Sequence, residues 1–107
     1  METICIRAKI KAGMLEETRK WFKTLIERSD ETLQTLENEG VIVESVFLDK
    51  FGDDFYLIYY MKAENLEHAR EVSKNSILSI DKYHKECRKN CCEGAQVLEL
   101  LMDFNRI

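Results

Sequence analysis

The sequence predicts a single α+β domain of the ferredoxin-like type, with a βαββαβ order and one extra helix before the last strand. Three observations support this prediction: four segments have the composition of strands, the segments between them repeat apolar residues at helical spacing, and glycines fall at several of the joints. Such strands would form a four-stranded antiparallel sheet with the helices on one side. No stretch has the composition of a linker, so residues 1–107 are expected to form one domain.

The first half of the chain contains one strand and a long helical segment. Residues 3–10 alternate between apolar and polar side chains, which predicts a strand. Residues 14–39 repeat apolar residues at steps of three and four, which predicts an amphipathic helix with either a kink or a break into two helices at Ser29 and Asp30. Gly40 follows as the expected C-cap.

The second half predicts three strands and two helices. Residues 41–48 and 55–62 are expected to form a hairpin around the acidic turn 49–54, and the second of these strands is apolar on both faces. Residues 64–74 and 80–93 are predicted helices, separated by a loop at 75–80. Gly94 is expected to end the second helix, and residues 95–104 are expected to form the last strand.

Composition excludes several classes of protein. The formal net charge is −4, and no dense cluster of Lys and Arg is present, so a nucleic-acid-binding role is not expected. No apolar run approaches the roughly 20 residues that cross a membrane, and the N-terminal residues have no signal-peptide pattern, so the cytoplasm is the expected location. The four cysteines are therefore expected to be free thiols. No motif for a cofactor is present.

The side of the sheet away from the helices is expected to carry a site and an interface. We expect Arg7 and Glu44 to point to this open face, together with large apolar side chains. Strand three would add either Tyr60 and the residues that alternate with it, or the opposite set that contains Tyr59, and Tyr60 is the candidate site residue of the first set. A second copy of the sheet would cover such a patch, which predicts a homodimer, although a helix folded over the face is an alternative. The charged groups could line a pocket for a small molecule or could pair with one another in a structural role.

Three segments carry a resemblance to a known family. VESVFLD (43–49), FYLIYYMKAENLE (55–67) and NSILSIDKYHKE (75–86) resemble a bacterial family catalogued as a domain of unknown function. The resemblance implies the dimeric α/β-barrel superfamily, whose branches include rhamnose mutarotases, small antibiotic-biosynthesis monooxygenases and stress-induced barrel proteins. The histidine and tryptophan signature of the mutarotases is missing, because Trp21 stands alone and no histidine precedes His68.

His84 is the first candidate for chemistry. It lies near the start of a predicted helix, three residues after Asp81, and histidine can act as an acid or a base near neutral pH. In the structural alternative, Asp81 is the N-cap of the helix and His84 is a surface or hydrogen-bonded residue.

The cysteines near His84 suggest a second possibility. On a helix, His84, Cys87 and Cys91 share one face and could bind a soft metal, but their spacing matches no recognised zinc motif. The structural alternative is that Cys87 and Cys91 form the buried stripe of this helix. We therefore predict no metal ion.

These observations lead to a functional hypothesis. The protein is expected to be a dimeric α/β-barrel protein that binds a small molecule, and it could be a cofactor-independent isomerase or monooxygenase. His84 would be the acid or base, and Arg7, Glu44 and Tyr60 would orient the ligand. The alternative is a non-catalytic dimer that senses a ligand or binds another protein, and the sequence does not decide whether the protein is an enzyme.

Overall fold

The protein folds as one four-stranded antiparallel sheet covered on one side by four helices. A computed structural model describes residues 1–106. The elements in chain order are β1 (Glu2–Ile10), α1 (Leu15–Glu27), α2 (Ser29–Glu39), β2 (Val41–Phe51), β3 (Asp54–Ala63), α3 (Leu66–Asn75), α4 (Ser79–Cys91) and β4 (Cys92–Val97). The strand order is β2-β3-β1-β4. This is the predicted ferredoxin-like fold, and the predicted extra helix is α4.

The predicted long helix is two helices. α1 and α2 meet at Arg28, whose φ of −101° and ψ of 41° lie outside the helical region. Of the two alternatives predicted at Ser29 and Asp30, the break into two helices is therefore confirmed, within one residue. Gly40 ends α2 in the left-handed conformation, with φ 71°, which glycine adopts at little cost because it has no Cβ.

Two apolar clusters fill the space between the helices and the sheet. The first is built on Ile10, Trp21, Leu57 and Cys91, and it joins α1 and α4 to the central strands. The second is built on Val41, Ala63 and Ala69, and it joins α2 and α3 to the other end of the sheet. Burial of these side chains is the main favourable contribution to the free energy of folding.

The last strand differs from its prediction. β4 is Cys92–Val97, not residues 95–104, and α4 ends at Cys91, not at Gly94. Gly94 lies inside β4 with φ 69°, and the register between β1 and β4 shifts between Arg7 and Lys9. This irregularity lets a glycine lie inside a strand.

Beyond β4 the chain leaves the sheet edge and crosses the open face. We call residues 98–104 the C-terminal strap. Leu98 N donates to Cys5 O at 2.9 Å, and Asp103 accepts hydrogen bonds from Thr3 at 2.7 Å and Lys62 at 3.0 Å. Thr3 and Lys62 are partners in the β1–β3 register and share the open face. The strap is therefore held in place by the Asp103 carboxylate, which forms an ion pair with the buried Lys62. The apolar sequence of the strap does not reveal this contact.

Of the helices in the described part of the chain, none combines the length and the apolarity needed to span a membrane.

Candidate functional site

His84 is held by a hydrogen bond from another helix. Trp21 Nε1, on α1, donates to His84 Nδ1, on α4, at 3.0 Å, and the two ring centroids lie 5.2 Å apart. Burial lowers the pKa of His84 to about 4, with a further lowering from the Arg88 charge and an opposing contribution from Asp81. The imidazole is therefore neutral near pH 7, and its proton lies on Nε2 because Nδ1 accepts from Trp21.

Tyr59 lies against the imidazole on the helix-covered face of β3. Its ring centroid is 6.4 Å from that of His84, in an edge-on arrangement. Among the described residues, the buried Tyr59 hydroxyl makes no hydrogen bond of regular geometry, and the Arg88 side chain is its nearest candidate donor. Burial raises the pKa of this phenol, and the nearby Glu44 adds to the effect while Arg88 opposes it. A buried hydroxyl without a partner is costly and is a recognised indication of a ligand or water position.

Two carboxyl groups approach the same region from different elements. Glu39 is the last residue of α2, and Glu44 is on β2 opposite Met61. Burial raises the pKa of Glu39 to about 7, with additional raising from Glu44 and Asp81 and opposing effects of Arg88 and Lys85. Burial also raises the pKa of Glu44, and Arg88 opposes it. Glu39 is therefore a carboxyl group that gains or loses its proton near neutral pH.

Glu39, Glu44, Tyr59, His84 and Arg88 form what we call the polar layer. It lies on the helix-covered side of the sheet, where Val46 and Tyr59 also border the first apolar cluster and Met61 borders the second. Buried ionisable groups reduce stability unless they are compensated, and clusters of perturbed pKa values occur preferentially at functional sites. The polar layer is therefore the best candidate for chemistry in this fold.

Asp81 has a structural position beside this layer. The N-cap of α4 is Leu78, so the interpretation of Asp81 as the N-cap is wrong. Asp81 instead accepts hydrogen bonds from Thr35 at 2.8 Å and from Ser76. These bonds attach the first turn of α4 to α2 and to the preceding loop, which positions His84 one turn further along.

The other three predicted site residues do not all share one face. Arg7 and Tyr60 lie on the open face of the sheet, since they alternate with the buried Ala8 and with Tyr59. Glu44 lies on the opposite, helix-covered face, in register with Met61. The expectation that Glu44 points to the open face with Arg7 is therefore wrong. His84 and Glu44 belong to the polar layer, and Arg7 and Tyr60 do not.

A bulge in β2 causes this difference. Val41 pairs with Ala63, but Val43 pairs with Lys62, so one extra residue is inserted at position 42. A bulge shifts the alternation of the residues that follow it. Apolar side chains on both faces of β2 hide this shift in the sequence.

On the open face, Arg7 interacts with aromatic rings, and within residues 1–106 it forms no ion pair with a carboxylate. Its guanidinium carbon lies 3.7 Å from the ring centroid of Tyr56 and 5.9 Å from that of Phe51, which are cation–π distances. Tyr60 lines a recess of about 340 Å³ between the sheet and the C-terminal strap, together with Thr3, Cys5 and residues 98–102.

The cysteine helix is part of the core. Cys91 is buried in the first apolar cluster, and Cys87 packs against that cluster, which confirms the structural alternative for both. All four cysteines are free thiols, as predicted, and burial raises the pKa of Cys87 and of Cys92. Within residues 1–106, no group of three or more His, Cys, Asp and Glu side chains could hold a metal ion.

Sequence reasoning missed Glu39, Tyr59 and Arg88 as members of the layer. The alternation of β3 puts Tyr59 and Tyr60 on opposite faces of the strand. Both faces carry aromatic side chains, so the sequence does not tell which of the two tyrosines faces the helices. Glu39 and Arg88 look like ordinary charged positions on amphipathic helices. Their convergence depends on how α2, α4 and β2 pack, and no local pattern reports it.

Comparisons with known proteins agree with the fold. The sequence profile of a family of unknown function, DUF6176, matches residues 1–107. None of the curated proteins is similar enough in sequence to count as a match.

Several solved structures share the architecture at low sequence identity. A protein of Nitrosomonas europaea, described as a candidate antibiotic biosynthesis monooxygenase, is 10% identical and superposes with a TM-score of 0.62, over 92% of this chain and 94% of its own. An uncharacterised NIPSNAP domain protein from Burkholderia xenovorans is 14% identical, with a TM-score of 0.63 over 95% of each chain. A de novo designed ferredoxin-fold protein is 19% identical, with a TM-score of 0.58 over 100% of this chain and 95% of its own. At such identities the likeness establishes the fold alone.

Proposed function

The chain belongs to the family of unknown function DUF6176, and from that premise we propose that it is a small-molecule-binding protein that catalyses an isomerase-type proton transfer. The observation that carries the proposal is Glu39, a buried carboxyl group whose pKa is raised to about 7. A group with this pKa can both accept and return a proton at neutral pH, which is the requirement for general acid–base catalysis.

The proposed reaction moves a proton between two carbon atoms of a carbonyl compound. The Glu39 carboxylate removes a proton from the carbon next to the carbonyl, and the electron pair of the broken C–H bond forms an enolate. When the substrate is a β,γ-unsaturated carbonyl compound, this enolate is a conjugated dienolate. The protonated Glu39 returns the proton to its γ-carbon and the carbon–carbon double bond moves next to the carbonyl, so the product is an isomer and no oxidant or reductant is consumed. Of the two reaction classes considered above, isomerisation is the one for which the polar layer offers the required proton carrier.

The other members of the polar layer would stabilise the enolate. Neutral His84 keeps Nε2–H as a donor because Trp21 occupies Nδ1 at 3.0 Å, so we assign His84 the role of hydrogen-bond donor to the developing oxyanion. The Arg88 charge, which acts on Glu39, Glu44 and His84, would lower the energy of the negative transition state. Glu44 and Glu39 would titrate as a coupled pair, so a proton taken up by the pair could reside on either carboxylate.

We further propose that the active form is a cytoplasmic homodimer. Large apolar side chains remain exposed on the open face, including Phe47 at 61% and Phe51 at 70%. A second copy packed on this face would cover them and would enclose Arg7 and Tyr60 near the interface. These two residues would then contact a ligand from the open face and not from the polar layer.

Exchange of carbon-bound hydrogen with solvent tests the catalytic proposal directly. A panel of small cyclic and open-chain carbonyl compounds is incubated with the protein in D₂O, and proton NMR records the loss of the signal next to the carbonyl. We expect at least one compound that binds the protein to exchange faster with wild type than with Glu39→Gln, by about 100-fold. The matched control is Glu37→Gln, an exposed position on the same helix, which should exchange at the wild-type rate.

The same experiment separates the alternative function. Compounds that bind, as shown by line broadening, but never exchange would contradict the enzymatic proposal and favour a non-catalytic sensor. Equal exchange by wild type and Glu39→Gln would remove Glu39 from the mechanism.

A further inference from the structure

A second recess lies outside the polar layer, between α1 and the edge of the sheet. It has a volume of about 530 Å³ and is lined by residues 15–27 of α1 on one side, residues 46–48 of β2 on the other, and Leu57 as its floor. This volume falls in the range of about 300–1,000 Å³ that is typical of small-molecule sites. We call it the α1–β2 groove.

The groove is apolar inside and charged at its margin. Leu57 at its floor is almost completely buried, whereas Ile26, Phe47 and Leu48 at its mouth are exposed at 74%, 61% and 42%. Exposed large apolar side chains around a concave surface favour a ligand with an apolar body.

The charged side chains of α1 that line the groove change from basic to acidic along the helix. Arg19 and Lys23 lie one helical turn apart along the groove, and Glu27 lies one turn further, at the C-terminal end of α1. Lys23 pairs loosely with Glu27, at 4.0 Å. Among residues 1–106, Arg19 forms no ion pair. A negative group is therefore attracted to the Arg19 end and repelled at the Glu27 end.

We propose that the α1–β2 groove binds an amphiphilic carboxylate, with the carboxylate at Arg19 and the apolar body along Phe22, Val46 and Ile26. The eight residue steps from Arg19 to Glu27 span about 12 Å of helix, which matches an extended chain of medium length. The proposal does not depend on the catalytic role of the polar layer.

The test uses decanoate as the probe and decanol as its uncharged counterpart. Amide resonances of isotopically labelled protein are followed by NMR during titration with each compound. We expect saturable shifts at Leu15, Phe22 and Val46, and we expect Arg19→Gln to weaken decanoate binding by about fivefold while decanol binding is unchanged. Arg70→Gln, an exposed position on α3, is the matched control and should bind both compounds as wild type does.

Three results would overturn the proposal: decanoate fails to saturate the groove resonances, Arg19→Gln binds decanoate as tightly as wild type, or it weakens both compounds equally. Resonances of Leu15 and Ile26 on α1 that shift with protein concentration in the absence of probe would also overturn it, because a second copy of the chain would then occupy the groove and not only the open face. The readout is a chemical shift and not hydrogen exchange, so failure here and failure of the catalytic proposal are distinguishable.

Discussion

Burial, more than any charged neighbour, determines the protonation of His84 and Glu39. For both groups the largest effect on the pKa is removal from water, which lowers the pKa of the base and raises that of the acid. Burial always favours the neutral form, so it acts in opposite directions on the two pKa values. Near neutral pH the polar layer therefore contains both an uncharged imidazole and a carboxyl group that is close to half-protonated.

Glu39 makes stability depend on pH with a definite sign. Its pKa is raised from 4.5 to about 7 in the folded protein, so the folded state binds the proton more tightly than the unfolded state. Stability is present below pH 4.5 and is lost as pH rises through about 7. Glu39→Gln removes this loss, and we expect the variant to gain about 1–2 kcal/mol over wild type between about pH 5 and pH 8, after allowance for solvent screening.

Urea unfolding of wild type and Glu39→Gln at the two pH values measures this difference. The comparison with the variant is essential because the contribution of His84 to stability changes in the opposite direction over part of the same pH range. Glu37→Gln is the control, and a difference between Glu39→Gln and wild type that does not change with pH would contradict the raised pKa.

The Trp21–His84 hydrogen bond gives a second prediction at this scale. His84→Ala leaves the indole N–H of Trp21, which is only 1% exposed, without its acceptor, and we expect a loss of about 2 kcal/mol in the free energy of unfolding. His84→Gln, which can offer an oxygen acceptor, should lose less. The folded pKa of His84 is lowered to about 4 from 6.5, so its contribution is present above pH 6.5 and is lost as pH falls through about 4.

Chemical denaturation near pH 7 measures the effect. His68→Ala is the matched control, because His68 is exposed on α3 and should change stability by less than about 0.5 kcal/mol. If His84→Ala were as stable as wild type, the hydrogen bond would contribute nothing measurable.

At the scale of elements, strong local patterns predicted most of the fold. The alternation of residues 3–10 and the helical spacing of residues 14–39 correspond to β1 and to α1 with α2, and all eight elements occur in the predicted order. The end of β4 could not be predicted from the sequence. Residues 95–104 are apolar enough for a strand, but β4 pairs with β1 only as far along the chain as Val97. Hydrogen bonds to distant residues decide where that strand ends.

The candidate site was less predictable for a related reason. His84 is recognisable because histidine is rare in this chain and carries its own chemistry. The face of Glu44 depends on the bulge at Ile42. The burial of Glu39 depends on the approach of α4, which is separated from it by two strands and a helix.

The C-terminal strap supplies the prediction for this scale. The hydrogen bonds from Thr3 and Lys62 lower the pKa of Asp103, so the strap should be held above the usual pKa range of an aspartate and released as pH falls through the lowered value. Asp103→Ala removes both bonds, and we expect chymotrypsin to cleave near Phe104 or Leu101 several-fold faster in the variant. Limited proteolysis followed by mass spectrometry measures the rate.

Asp53→Ala serves as the control for the strap. Asp53 is exposed in the β2–β3 turn, and it is not one of the two residues that donate hydrogen bonds to Asp103. Equal cleavage rates in wild type and Asp103→Ala would show that other contacts hold the strap.

At the scale of the whole molecule, the helices cover only one side of the sheet. The opposite side carries Phe47 and Phe51, exposed at 61% and 70%, and the strap that crosses it exposes Leu101 and Phe104 further. Water contact with this much apolar surface is unfavourable, and monomeric proteins rarely present a patch of this kind. A face-to-face dimer removes the patch on both copies at once, since a two-fold axis brings the same surface to itself.

Substitution of one open-face residue tests this assembly. Phe47→Asp places a charge in the proposed interface, where it would be desolvated without a partner, so we expect the dimer to dissociate to monomers at about 10–50 µM protein, with at least a tenfold increase in the dissociation constant. Ile77→Asp is the matched control, because Ile77 is 83% exposed in the loop between α3 and α4, away from the sheet. Analytical ultracentrifugation of the three proteins measures the effect. A wild-type protein that sediments as a monomer, or a Phe47→Asp variant that remains dimeric, would leave the open face without its second copy and would place Arg7 and Tyr60 on a free surface.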